Sequence, residues 1–214
     1  MKSTEQRSRH ARGMTLIETV LAMTITAMVG ASLTTMMAAV TDEVTASQDT
    51  RSSLIRAGLA QSRLSSYIAR AHCVLDLEDD EITLWLEDSR DGGSVHASEV
   101  RWIKLDSDTG IMDVHFICFP NDWSEPARLL ADTEYTDASS TDWKSVLSSF
   151  SNRGLICKLP LIEGVNDLEL SGNTSNDLDV TLVEAAMILS VDEATEKTFA
   201  AESIRVHQKP DEEN

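Results

Sequence analysis

Basic residues are in short supply: 18 Lys and Arg stand against 36 Asp and Glu, so the 214-residue chain carries a formal net charge of −18. Nucleic-acid binders draw most of their affinity from cations that neutralise phosphate, so direct binding of nucleic acid is excluded. The same charge keeps the chain away from anionic membrane surfaces unless an apolar segment anchors it. Catalytic signatures are missing as well. There is no G-x-S-x-G, H-E-x-x-H, glycine-rich phosphate loop or C-x-x-C, so neither an enzyme nor a bound cofactor is expected. No internal repeat is present. Aromatics are only 5%, yet hydrophobic residues reach 42% and charged residues 25%. That balance excludes a chain disordered throughout, and the length suits one ordinary domain plus a separate element.

What is there is unevenly placed. Residues 1–13 carry Lys2, Arg7, Arg9 and Arg12 against one acid, Glu5. Residues 14–40 hold a single charge, Glu18, and residues 14–214 together carry 14 basic and 35 acidic groups, a net −21. An apolar run of this length exceeds the roughly 20 residues needed to cross a bilayer. It also outruns the apolar stretch of a cleaved secretory signal, about 7–15 residues. The basic flank precedes it, which predicts a cytoplasmic N-terminus and an outside C-terminal bulk. Glu18 is the anomaly, because a carboxylate at bilayer depth costs roughly 2.5–3.5 kcal/mol. It either sits at headgroup level or meets an opposite charge inside a protein assembly.

The string Arg12-Gly13-Met14-Thr15-Leu16-Ile17-Glu18, followed by an apolar helix, resembles the prepilin-type signature of the type IV pilin family. The resemblance implies a basic leader over 1–13, cleavage by a prepilin peptidase between Gly13 and Met14, and N-methylation of Met14. It implies that 14–40 stays as a transmembrane and filament-core helix. Met14 departs from the phenylalanine commonest in the family. In such an array Glu18 of one subunit would meet the Met14 amine of a neighbour, an assembly charge that sets register more than stability.

The helical pattern continues over 41–72, which has no proline and one glycine, with Leu54, Ile55, Gly58 and Leu59 on one face and Leu64, Tyr67, Ile68 and Ala71 following helical spacing. Residues 73–208 read as a β-rich head. Ile82, Leu84 and Leu86 alternate with Thr83 and Trp85; turns at 89–93 and 106–110 flank Val100–Leu105, and Ile111–Phe119 follows. Residues 120–154 form a long polar insert with a short helix over 143–150. Strands are then expected over 155–162, 165–170, 178–191 and 199–208, although 183–189 also suits a helix. Residues 209–214 read as a frayed polar tail. The expected fold class is α+β: a long N-terminal helix, half transmembrane and half packed on an antiparallel β-sheet head, as in pilins.

Three cysteines in an oxidising compartment permit one bridge. Cys118 and Cys157 flank the insert and are the favoured pair; the alternative is three buried thiols. His72 beside Cys73 gives a weak Cys–His pattern. His96 and His115 lack metal spacing, and the acid runs 76–81 and 106–110 do not complete a calcium loop, so no metal is expected. Trp85, Trp102, Trp123 and Trp143 suit core or interface anchors, with partner contacts expected near Trp123, Trp143 and Leu54–Ile68.

The late segment Glu163–Leu170 with two closing strands resembles the J-class minor pseudopilins of type II secretion. That resemblance implies a structural subunit of a secretion or pilus-like filament, with other pseudopilins or pilins and the inner membrane as partners and a periplasmic head. A competence-type or minor pilin, and an uncleaved single-pass binding protein, are the alternatives.

Overall fold

The computed structural model describes residues 15–90, 92–191 and 194–211. Gly13 and Met14, and with them the cleavage and methylation positions, lie outside the described residues. The chain divides into two compact units, Met1–Gln48 and Asp49–Asn214. The fold class is α+β, an apolar N-terminal helix followed by antiparallel sheet. Helix α1 (Leu16–Ile68) has bounds that cross the division, so its two parts are taken with their own units.

In the second unit α1 buries Ser53, Ala57, Ala60, Leu64 and Ile68, a spacing of three to four residues that makes one face. This corrects the expected stripe. Leu54, Ile55 and Leu59 are more than half exposed. Ala57 and Ala60 share this inner face with Leu64 and Ile68 and join the same core. Leu54, Ile55 and Leu59 are left outside.

The strands are β1 (Cys73–Leu77), β2 (Glu81–Trp85), β3 (Val95–His96), β4 (Val100–Asp106) and β5 (Ile111–Ile117). After them come α2 (Glu125–Ala131), β6 (Glu134–Tyr135), α3 (Trp143–Asn152), β7 (Ile156–Glu163), β8 (Val165–Gly172), β9 (Leu182–Val191) and β10 (Ala194–Ser203). An antiparallel five-stranded sheet has the order β1-β2-β4-β5-β7, a second has β10-β9-β8, and β3 pairs with β6. The ambiguous 183–189 segment is strand. Val183, Ala185, Met187 and Leu189 are buried on one face while β8 and β10 pair on either side, a period of two. Two other expected strands are displaced. Residues 177–179 form a 3-10 turn, and strand pairing ends at Ser203.

All five residues of β2 are buried, because the central sheet is covered on both faces. Ile82 and Leu84 join Leu64, Ile68, Met112, Met187 and Leu189 in one core. Trp85 faces the other way, into a second core with Trp102, Ile117, Trp143, Val146 and Phe150. The second core is built by the 120–154 insert, which is structured cover and not a free loop. Its helix α3 starts at Asp142, whose carboxylate accepts from Ser145 N at 3.1 Å and Ser145 Oγ at 2.6 Å. It ends at Gly154, whose φ of 69° is the left-handed conformation that glycine adopts without a Cβ penalty. Trp143, Val146 and Phe150 are its buried face. A disulfide, Cys118–Cys157, joins the two ends of the insert, with Cα atoms 5.7 Å apart.

Trp143 is 1% exposed and donates its indole N–H to Ala138 O at 3.3 Å, while its own carbonyl accepts from Trp102 Nε1 at 3.1 Å. It therefore cannot anchor a partner, contrary to the sequence expectation. The start of the tail is docked as well: Lys209 pairs with Asp179, Pro210 is buried, and Asp211 N donates to Gly93 O. The rest of that tail, residues 212–214, lies outside the described residues.

An acidic corner forms where β1 meets the 177–179 turn. Burial, then the charge of Glu78, pushes the carboxyls of Asp76 and Asp177 up from the ordinary aspartate range; a backbone hydrogen bond from Leu77 to Asp177 opposes the shift there. A raised acid favours folding below its unfolded pKa and loses that contribution as pH rises through the folded value. Asp76→Asn is therefore expected to raise the melting temperature at pH 7 and to leave it unchanged well below about pH 3.9, where the aspartate is protonated in both states. Melting curves at the two pH values check this; a gain that persists at low pH would contradict it.

Candidate functional site

Among its described residues the first unit offers one element: the α1 segment Leu16–Thr41, 26 residues with mean hydropathy 1.7 and none of it buried inside the protein. It is long and apolar enough to cross a membrane. Leu16, Ile17, Met23, Met28 and Met37 are between 69% and 83% exposed, a surface that water does not favour and hydrocarbon does. The segment also carries hydroxyls, which would be costly in lipid if unpaired. They are satisfied locally. Thr24 Oγ1 donates to Val20 O, Thr26 to Ala22 O, Thr34 to Gly30 O and Thr41 to Met37 O, all at 2.8 Å. Ser32 and Thr35 bond to carbonyls three residues back at 2.9 Å. Each such bond closes a side-chain ring on the helix itself, so the polar groups need no external partner at bilayer depth.

Glu18 lies in the first turn of this helix. Thr15 donates to Glu18 Oε2 from its backbone N at 2.9 Å and from its hydroxyl at 3.0 Å, and Glu18 N donates back to Thr15 Oγ1 at 3.3 Å. This is a reciprocal capping box, and it satisfies two backbone N–H groups that the first turn would otherwise leave orphaned. Sequence reasoning found Glu18 but missed this role. The signal was available as T-x-x-E immediately ahead of an apolar run. Both bonds from Thr15 fall on Oε2, so the cap leaves the second carboxylate oxygen for another donor.

The other sequence candidates belong to the second unit. Cys73 is buried, its thiol pushed up to about 12 by burial, and it donates weakly to Val74 O at 3.2 Å and Leu178 O at 3.5 Å. That is a structural thiol and not an activated nucleophile. The His72 ring sits 5.4 Å from Trp85. Asp106 spends its carboxylate on Asp108 N at 3.0 Å in the β4–β5 turn, and hydrogen bonds with Thr109 and Asp108 hold it below the usual carboxylate range. In the other acid run, Glu78 pairs with Lys144 and Glu81 with Lys104. Among the described residues no three His, Cys, Asp or Glu side chains converge as a metal site. Trp123 is half-buried and stacks on Phe119 at 6.0 Å.

No family model, curated protein or solved structure matches this chain.

Proposed function

We propose that this chain is a minor pseudopilin-like subunit, cut after Gly13 and assembled through its N-terminal helix into a type II secretion or pilus-like filament that supports protein export. The observation that carries the reading is the coincidence of the basic leader ending in Gly13, the Thr15–Glu18 cap, and a 26-residue apolar helix that the protein does not bury. A cut ahead of such a helix releases it with its apolar surface intact. The new Met14 amine would then be available to the Glu18 carboxylate of a neighbouring subunit.

Further features support this reading. Ala22, Thr26, Gly30, Thr34 and Ala38 recur at every fourth position, a small-residue spacing that lets neighbouring membrane helices approach. Leu54, Ile55 and Leu59 remain exposed for partner subunits. The Cys118–Cys157 disulfide fits a head in an oxidising compartment, hence a periplasmic head, an inner-membrane helix and a cytoplasmic leader. The net charge of −21 over residues 14–214 disfavours stacks of identical heads and favours a few copies among different subunits.

Co-expression with a prepilin peptidase is expected to yield a mature chain beginning at methylated Met14, read by mass spectrometry. An intact leader would support the uncleaved single-pass binding protein instead, and a cut beyond Val40 would support secretion.

Glu18 is expected to act in assembly and not in head folding. Glu18→Ala should leave cleavage and the melting temperature of the second unit unchanged while reducing cross-linking to neighbouring subunits. Glu18→Gln separates the two roles of the side chain, because its amide oxygen keeps the cap and its charge is gone. Cross-linking that stays low in Glu18→Gln supports the charge pair. Recovery to the unsubstituted level would assign the effect to the cap.

A further inference from the structure

The two larger sheets have four edge strands, and three are closed. Along β1, the Val74/Asp76 irregularity breaks the register and the 177–179 turn packs alongside. On β7, Pro160 has no N–H to offer and Arg63 Nη1 occupies Leu161 O at 2.7 Å. On β8, Val165 N donates to Gly110 O and Leu170 N to Asp79 O, both at 2.9 Å, and the strand carries its own irregularity at Val165/Asp167. These are the devices by which proteins prevent an edge from recruiting another strand.

Among the described residues the fourth edge has none of these interruptions and carries only charge, at Glu196, Lys197 and Glu202. β10 runs ten residues in unbroken register with β9, from Ala194 opposite Val191 to Ser203 opposite Leu182, and contains no proline. It pairs with β9 alone. On its outer face Phe199 is 63% exposed, with Lys197 Nζ 5.1 Å from the ring centre. Beside the ring lies a shallow depression of about 450 Å³, floored by Ala186 and Ala201 and rimmed by Glu169 and Glu184. On the opposite face Glu196 and Glu202 stand at the two ends of the strand, across from Leu189 and Val183.

We propose that β10 is a docking edge that takes an extended segment of a different protein chain as a fourth strand. Main-chain bonds along the edge would supply affinity, and alternate side chains the specificity. The charge pattern defines the occupant. Residues directly opposite Glu196 and Glu202 are favoured when basic, and those flanking Phe199 and Ala201 when apolar. The occupant therefore carries two Lys or Arg six residues apart on one face and aliphatic residues on the other. A second copy fits poorly: the antiparallel register that brings two Phe199 rings together sets Glu196 against Glu202 twice, and each chain brings a net charge of −18. The proposal goes beyond the filament reading and does not depend on cleavage after Gly13.

The test uses the full chain in detergent micelles and a synthetic, end-blocked peptide of about ten residues, with valine on alternate positions and two lysines six apart. A control peptide has glutamate in place of both lysines. The lysine peptide is expected to bind roughly tenfold more tightly, from two charge pairs changed from attraction to repulsion. It should also slow amide exchange in β10. The Glu196→Lys/Glu202→Lys variant should reverse the preference. Equal binding of the two peptides, or unchanged exchange in β10 of the unsubstituted chain, would overturn the proposal even if that variant does not fold. A concentration-dependent dimer that protects β10 without peptide would overturn it too, assigning the edge to a second copy.

Discussion

Glu99→Ala lowers the stability of the second unit by about 4 kcal/mol, the expected cost of stranding several buried donors at once. Glu99 is 1% exposed. Its Oε1 accepts from Ser89 N at 2.7 Å and Ser89 Oγ at 2.8 Å, and its Oε2 from Trp85 Nε1 and His96 N, both at 3.1 Å. One carboxylate thus ties β2, the loop after it and β3 to the 3-10 turn ahead of β4. Alanine leaves the Trp85 indole N–H facing an apolar core with no acceptor. Glu99→Gln keeps the shape, but its amide nitrogen faces at least one backbone or indole N–H in either orientation. A loss of about 2 kcal/mol is expected from that donor–donor contact. Denaturant unfolding of both variants checks the order. Equal stability of Glu99→Ala and the unsubstituted chain would show that water replaces the carboxylate. A neighbouring carboxylate works the same way: Asp132 accepts from Ser98 N and Oγ at 2.8 Å and pairs with Arg90 at 2.7 Å.

Replacing Cys118 and Cys157 together by alanine is expected to cost about 4 kcal/mol. The bridge spans a sequence separation of 39 residues, and chain-entropy reasoning for a loop of that size gives this magnitude. For a unit of this length, that corresponds to a fall of roughly 10 °C in melting temperature. The loss should be large because the loop contains α3 and with it Trp143, Val146 and Phe150 of the second core. Unfolding with and without reductant provides the check. In the unsubstituted chain reductant should reproduce the loss, and in the double alanine variant it should do nothing. Cys73 is not expected to contribute, since it is buried and holds no bridge.

The α+β class and the N-terminal apolar helix were legible because both depend on local pattern. A run with one charge can be counted, and strands such as β4 and β5 alternate over enough residues to show a period of two. The helix packing face was harder to read. Leu54, Ile55 and Leu59 outweigh Ala57 and Ala60 on any hydropathy scale, yet the alanines are the buried residues. The choice depended on which face of the helix meets the core, which has no local signature. The insert misled for a related reason: its polar composition hid three buried residues of α3, and Trp143 looked available for a partner until its sheet was in place. Glu99 and Asp132 gave no sequence signal, because a carboxylate becomes a hub only when donors from separate segments converge on it.

The sequence by itself determined the chain's charge, its single apolar run, the place of Glu18 within it and the R-G-M-T-L-I-E string ahead of it. These are properties of contiguous residues, and no folding is needed to read them. Tertiary structure decided which apolar residues of α1 face outward, that both faces of the central sheet are covered, and that β10 alone among the four edges of the two larger sheets carries no backbone interruption among the described residues. Each depends on what lies across a gap in space, where Pro160, Arg63, the 177–179 turn and Gly110 close the other edges. An unpaired strand edge is defined by the absence of a neighbour, and a neighbour is a matter of three-dimensional packing that no local window of sequence contains.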